Sequence, residues 1–291
     1  MMDKIEAAKK KIFYARTQRI RPGLDNKILA SWNGLMLKGL CDAYRAFNEH
    51  DYLEMALRNA DFIVNYMVDK EGRLSRTYKG VDNNSIAFLD DYANVVDGLI
   101  ALYEVTFDEK WLEHARGLTD YAIAHFYDPA SGIFYFTADA DEQLIARKSE
   151  IMDGVIPASN SVMARNLKKL GLLSDDEEYH EISDQLLRNV MPHMAKYGSS
   201  YSNWAMLLLD EIFGVYEVAI TGDNFEEIRI EIENKFIPNK IILGGKKGSL
   251  PLLQEKFSGE TQIFICKDKT CSLPVYNSID AVKQINAKIL L

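Results

Sequence analysis

An internal repeat constrains this chain more than any other feature. "YLEMALRNADFIVNYMVDKEGRL" begins at Tyr52 and "WLEHARGLTDYAIAHFYDPASGIF" begins at Trp111, 59 residues later; each is an amphipathic helix closed by an acidic, Gly-containing turn. A more diverged copy, "EYHEISDQLLRNVMPHM", places Tyr179 in the Tyr52 position. Repeats on this scale point to helix pairs that stack or close into a circle.

The helices between the copies are of another kind. Residues 32–47, 91–106 and 160–172 are apolar around much of their circumference, as in "YANVVDGLIALYEVT". Residues 52–67, 111–126 and 178–190 carry one apolar and one charged face, as surface helices do. The alternation predicts an inner ring of helices wrapped by an outer ring, with 201–213 a further inner helix and 3–16 an outer helix at the front. Inner-to-outer turns are short ("NEHD", "FDEK", "SDDE"), whereas the outer-to-inner connections, 68–90 and 127–159, are long. Connections longer than about 12–15 residues inside a compact domain are usually functional or disordered. These hold aromatics and charges, so one face of the ring is elaborated; "GIFYFT" and "QLIARK" in the second predict a hairpin.

From about Val215 the pattern changes to short β-branched runs, "VYEVAIT", "NKIILGG" and "TQIFICK", with a crossover helix in "DNFEEIRIEIENKF" and a closing helix in "SIDAVKQINAKIL". The fold class expected is mainly α: a partial (α/α) toroid of helical hairpins over 1–214, then a small α/β domain over 215–291 with about three parallel strands.

Chemistry on such a ring belongs where long loops feed the inner-helix N-termini. Trp32 and Asn33 open one inner helix; Asp90, Asp91 and Tyr92 open the next. "DGVIPASNS", with Asp153, Ser159 and Asn160, opens a third, and Asn203 and Trp204 head the fourth. Capping alone explains a single Asp, Asn or Ser at such a place. Adjacent Asp90 and Asp91 cannot both cap one helix, so one is free to face the ring's centre. Asp153 precedes its helix with no evident capping duty. Opposed across the pore, Asp90 or Asp91 and Asp153 would form the carboxylate pair that glycoside hydrolysis requires. Trp32, Tyr92 and Trp204 could stack on sugar rings, although aromatic residues also simply pack cores. Arg147 could bind an anionic group or be solvated. His50, His114 and His180 fall on the short-turn side, and nothing pairs His125 with His193, which disfavours a two-histidine mechanism.

The net charge of −9, with no basic stripe, argues against nucleic acid. No apolar run is long enough to cross a bilayer. The charged N-terminus lacks the apolar centre of a signal peptide, and three cysteines make no disulfide framework, so a reducing cytoplasm is the expected setting. Cys266 and Cys271, around "KDKT", are too far apart for a CxxC motif and predict free or transiently bonded thiols; Cys41 predicts a small core residue. Neither a zinc pattern nor a convincing phosphate loop is present, so no metal and no cofactor are expected.

"RPGLDNKILASWNGLMLKGL", "FLDDYANVVDGLIALYEVT", "IPASNSVMARNLKKLG" and "CKDKTCSLPV" resemble, in order, the C-terminal portion of the spermatogenesis-associated, YyaL-like thioredoxin-domain proteins. The resemblance covers nearly the whole chain. It implies a toroid similar to six-hairpin glycosidases and sugar 2-epimerases, preceded in the family by a thioredoxin-like domain that has no counterpart in these residues. About eight helices fall short of a closed six-hairpin ring, so either a fragment or a truncated member with an open ring is expected. "DNK" at Asp25–Lys27 departs from the family where a second acid is expected. A carbohydrate ligand is implied through fold alone. The expected function is therefore carbohydrate binding or hydrolysis. The alternatives are a scaffold that docks another chain, or itself, through the open ring, and a sugar epimerase or isomerase.

Overall fold

A computed structural model describes residues 1–80, 85–141 and 146–289. In chain order it contains α1 (Met2–Thr17), β1 (Ile28–Leu29), α2 (Ala30–Phe47), α3 (His50–Tyr66), β2 (Thr77–Tyr78), α4 (Leu89–Thr106), α5 (Lys110–Phe126), β3 (Tyr127–Asp128), β4 (Ile133–Phe134), α6 (Ser159–Ser174), α7 (Glu177–Met194) and α8 (Ser202–Phe213). After these come β5 (Tyr216–Thr221), α9 (Phe225–Glu233), β6 (Lys240–Gly245), β7 (Gln262–Lys267), β8 (Thr270–Cys271) and α10 (Ser278–Ile289). Among the described residues no helix is long and apolar enough to cross a membrane.

The all-round apolar segments α2, α4, α6 and α8 stand side by side, and the one-sided helices α3, α5 and α7 pack behind them. The ring alternation is thus the observed architecture. From Leu89 to Val105 every residue of α4 is buried except Asp90 and Asp97; seven residues apart, those two share one helix face. Helices α2, α4 and α6 end on the same device: Asn48, Phe107 and Asp175 adopt left-handed φ values of 54°, 55° and 56°. That conformation stops the helix and turns the chain outward within a few residues, which is why these turns are short. Where α2 crosses α4, Gly34 lies against the backbone of Asn94 and Val95, and Gly98 against the Gly34 carbonyl.

Two expectations need correction. Helix α1 forms, but it buries no residue and so is not packed as an outer helix; Ile12, Phe13 and Tyr14 are exposed. Within "GIFYFT", Ile133–Phe134 pairs with Tyr127–Asp128. The tight turn between them favours this local partner: Gly132 takes φ +65° and Asp128 accepts from the Ala130 and Ser131 amides. Residues 143–145 of "QLIARK" lie outside the described residues, although Phe136 N donates to the Lys148 carbonyl at 2.6 Å. The sheet is mixed, not all parallel: its order is β6-β5-β7-β8, with β5–β6 parallel and β5–β7 and β7–β8 antiparallel. Helix α9 supplies the crossover that a parallel neighbour needs. Between β6 and β7 there is only a short 3-10 turn, Pro251–Leu253, with no helix to carry the chain back along the sheet.

An ion cluster joins ring and sheet at the C-terminal ends of the inner helices. Arg45 of α2 contacts Glu104 of α4 at 3.1 Å and Glu233 of α9 at 2.9 Å. Lys169 of α6 reaches Glu104 at 3.1 Å, and Arg229 pairs with Glu233. Burial pushes the Glu104 carboxyl up, but Lys169 and Arg45 outweigh it and hold the group at about 2.

Candidate active site

The opposite end of the inner row holds the predicted site residues. The first long connection matters because β1 pairs with β2, which brings Arg76 to the start of α2, where its carbonyl accepts from Ala30 N at 2.9 Å. Its guanidinium lies over the Phe88 ring, 4.7 Å from the centroid, between two carboxylates at the start of α4.

Those carboxylates have different surroundings. Asp91 is fully buried. Its Oδ1 accepts from Ser31 N at 2.9 Å, and its Oδ2 accepts from Phe88 N at 3.0 Å and Arg76 Nη1 at 2.8 Å. One side chain thereby caps α2 and α4 and fixes their entry points together. Asp90 is half-buried, and its one contact among the described residues is Arg76 Nη1 at 3.3 Å. Burial, the neighbouring Asp91 charge and the more distant Glu150 raise it, Arg76 opposes them, and the carboxyl stands at about 6. A carboxyl with that value exchanges a proton near neutral pH.

At the third inner helix, Asp153 Oδ1 accepts from Ala158 N at 2.9 Å and Ser161 Oγ at 2.8 Å, and Oδ2 accepts from Asn203 N at 2.9 Å. Asp153 thus clamps the start of α6 to the start of α8. Asn160 is fully buried; it donates to the Phe134 and Glu150 carbonyls and accepts from Phe134 N. Glu150 is exposed; its Oε2 accepts from Ser159 N at 3.1 Å. The Ser159 hydroxyl is buried with no partner among the described residues. Glu150 also borders an open cleft of about 520 Å³ with Met152, Asn189, His193 and Tyr201.

The aromatic candidates divide. Trp32 is 68% exposed on α2; beside it Asn33 turns back, donating from Nδ2 to the Leu29 carbonyl at 2.8 Å. Tyr92 is interior, stacked on Tyr121 at 5.4 Å, its hydroxyl accepting from Leu74 N. Trp204 is fully buried and donates to the Ile151 carbonyl. Tyr92, Trp204 and Asn160 therefore offer a ligand no surface. Arg147 lies over Tyr135 and donates to the Thr137 and His125 carbonyls, which ties down its loop. His125 contacts Asp139 at 2.9 Å.

Sequence reasoning missed Arg76 and Glu150. Both lie in the long connections already marked as elaborated, Arg76 in "LSRTY" and Glu150 three residues before Asp153. Only the fold shows that they meet the helix starts. Among the described residues no group of three or more His, Cys, Asp or Glu is arranged to hold a metal ion.

A family model described as the β-L-arabinofuranosidase GH127 catalytic domain matches residues 26–199. The chain belongs to this family. The match spans α2 to α7, with both long connections and the site carboxylates Asp90, Asp91, Glu150 and Asp153. The chain is also 29% identical to human spermatogenesis-associated protein 20 over 95% of its length, and 30% identical over 93% to the uncharacterised protein B0495.5 of Caenorhabditis elegans. It spans 38% and 39% of those two relatives. Among solved structures, a GH76 α-mannanase of Bacteroides thetaiotaomicron superposes with a TM-score of 0.52 at 18% identity, over 72% of this chain and 59% of that one. At that identity the likeness concerns fold. This member of the β-L-arabinofuranosidase family is a carbohydrate-related α/α toroid with a small mixed sheet behind it.

Proposed function

We propose that the elaborated face binds a glycoside and that Asp90 is its proton-carrying carboxyl, the general acid of a hydrolytic pair. The observation that carries this reading is the unequal treatment of two adjacent carboxylates. Asp91 has its oxygens committed to backbone amides and Arg76, whereas Asp90 keeps some exposure and stands at about 6. Environments that push neighbouring acids apart in this way assign their roles. The second carboxylate is Glu150, whose charge acts on Asp90 and whose side chain is open to solvent, rather than Asp153, whose oxygens accept three hydrogen bonds that clamp α6 to α8. Trp32 is the exposed aromatic for stacking a sugar, and the family match makes furanosides the first substrates to try.

The test is a panel of aryl furanosides and pyranosides, read by thermal shift and by release of the aryl group. Asp90→Asn and Glu150→Gln should each cost turnover about 100-fold or more while circular dichroism is unchanged. Unchanged turnover in Asp90→Asn would defeat the assignment. A second reading, docking of another copy of the chain, has its own support: α2 exposes Trp32 and Met36, and α8 exposes Met206, Leu209, Ile212 and Phe213. A concentration-dependent mass in light scattering together with no sugar response would favour it.

A further inference from the structure

At the far end of the ring from Asp90, where α6 ends against the sheet, a second group of chemically capable side chains converges. The expectation of free or transiently bonded thiols resolves into a disulfide between Cys266 and Cys271, directly opposed residues of β7 and β8. Cys266 is also directly opposed to Glu217 on β5, and opposed residues of antiparallel strands project from the same face. Glu217 and Cys271 both line a cleft of about 250 Å³, together with Gly171, Asp175, His180, Lys256 and Lys269. Cys266 is fully buried and Cys271 is exposed. The two sulfurs therefore differ: one is open to attack, and the other is placed to leave into the protein.

Glu217 has no structural reason to be where it is. It sits in the central strand, 3% exposed, and its carboxyl makes no hydrogen bond or ion pair among the described residues. Burying a carboxyl without partners is costly. Burial first, then Asp268 and Asp175, push it up against Lys269 and Lys256, to about 7. The charged groups nearby are otherwise engaged: Lys269 pairs with Asp175 and Glu177, and burial lowers the His180 imidazole. The turn between β7 and β8 puts both Asp268 and Lys269 at left-handed φ, 50° and 61°, a conformation that disfavours a side chain such as lysine.

We propose that Cys266–Cys271 is a thiol–disulfide exchange site in which Glu217 carries the proton for the buried sulfur. A thiolate of a small external dithiol attacks the exposed Cys271 Sγ. The S–S bond breaks, and its electron pair passes to Cys266 Sγ, which takes the proton of the Glu217 carboxyl. Glu217 regains a proton from water in the cleft. The second thiol of the dithiol, having lost its proton to water, displaces Cys271 from the mixed disulfide, and Cys271 takes up a proton. Two electrons pass from the dithiol to the protein disulfide, so the dithiol ends as a disulfide and the protein pair as two thiols.

The test uses the native chain and dithiothreitol, with iodoacetamide quenching and mass counting of labelled cysteines. Cys41 is fully buried, and burial pushes its thiol up to about 12, so native labelling reports the exposed Cys271. Cys271 should label while the far-ultraviolet circular dichroism is intact, whereas Cys266, as buried as Cys41, should label only on unfolding. At about pH 6 Glu217→Gln should slow reduction about tenfold or more, and the gap should close above about pH 8, where Glu217 has lost its proton. A measurement that needs no variant guards against misfolding: the wild-type rate divided by that of oxidised glutathione should fall as pH rises through about 7. Labelling of Cys271 that appears only on unfolding, or a rate ratio flat with pH, would overturn the proposal.

Discussion

Replacing Gly34 with alanine tests the packing that sets the site's geometry. A Cβ at Gly34 would stand 2.5 Å from the Asn94 carbonyl carbon, 2.6 Å from its oxygen and 2.6 Å from Val95 N. All three are backbone atoms of α4, so no side chain can swing aside. Helices α2 and α4 must part by roughly 1 Å to restore ordinary contact, forfeiting a quarter to a half of the dispersion attraction along the crossing. Overpacking of this kind costs about 1–3 kcal/mol, and the upper end applies where nothing can yield. Alanine returns about 1 kcal/mol of helix propensity, leaving a net destabilisation of about 2 kcal/mol. With an unfolding entropy of about 2.1 cal/mol/K per residue, that lowers Tm by about 3 °C. Gly39 on the same helix is the control, because a Cβ there meets nothing within 4 Å. Gly39→Ala should therefore raise Tm by about 1–2 °C. Differential scanning calorimetry of both variants decides the matter: shifts of the same sign would refute the claim that α2 and α4 touch through Gly34.

Arg45→Met should destabilise the fold by about 3–5 kcal/mol, because Glu104 and Glu233 would lose a buried partner. Glu104 is depressed in the folded chain, so its contribution is present above the ordinary carboxylate range and lost as pH falls through about 2. The urea-measured gap between wild type and Arg45→Met should therefore shrink from pH 6 to pH 3, and a constant gap would contradict the cluster's role. Asp91→Asn should cost about 2 kcal/mol, since an amide nitrogen would face one of the backbone N–H groups that Asp91 now satisfies. Asp90→Asn should leave stability at pH 7 equal or higher, and equal losses in the two variants would show that they are not differently placed.

The ring was legible because its physics is periodic. All-round apolar stretches such as "YANVVDGLIALYEVT" can only be inner helices, and α4 is buried at every position but two from Leu89 to Val105. Helix positions, turns and strands followed from the same patterns. Strand direction did not, because it depends on how residues 246–261 travel rather than on what they are. The site was half legible. Loop length marked the face where the long connections meet the helix starts, and adjacency marked Asp90 and Asp91 as a pair with different surroundings. Which acid caps depends on Ser31 and Arg76, 60 and 15 residues from Asp91 in sequence. Trp204 and Tyr92 show the limit of motif reading, since an aromatic at a helix start looks the same whether it faces a ligand or the core. Glu217 stood in plain view in "VYEVAIT", a carboxylate inside a β-branched run, but its significance needed the strand register that sets it beside Cys266.

The central claim is that Asp90 carries the proton at a glycoside site. The pH dependence of turnover, on whichever aryl glycoside the panel selects, tests it most directly. A general acid must be protonated, so kcat/KM should hold steady below the Asp90 value and fall as pH rises through about 6. In Asp90→Asn that limb should vanish along with about 100-fold or more of the rate. The same limb, at the same pH, in an Asp90→Asn enzyme of undiminished activity would contradict the account.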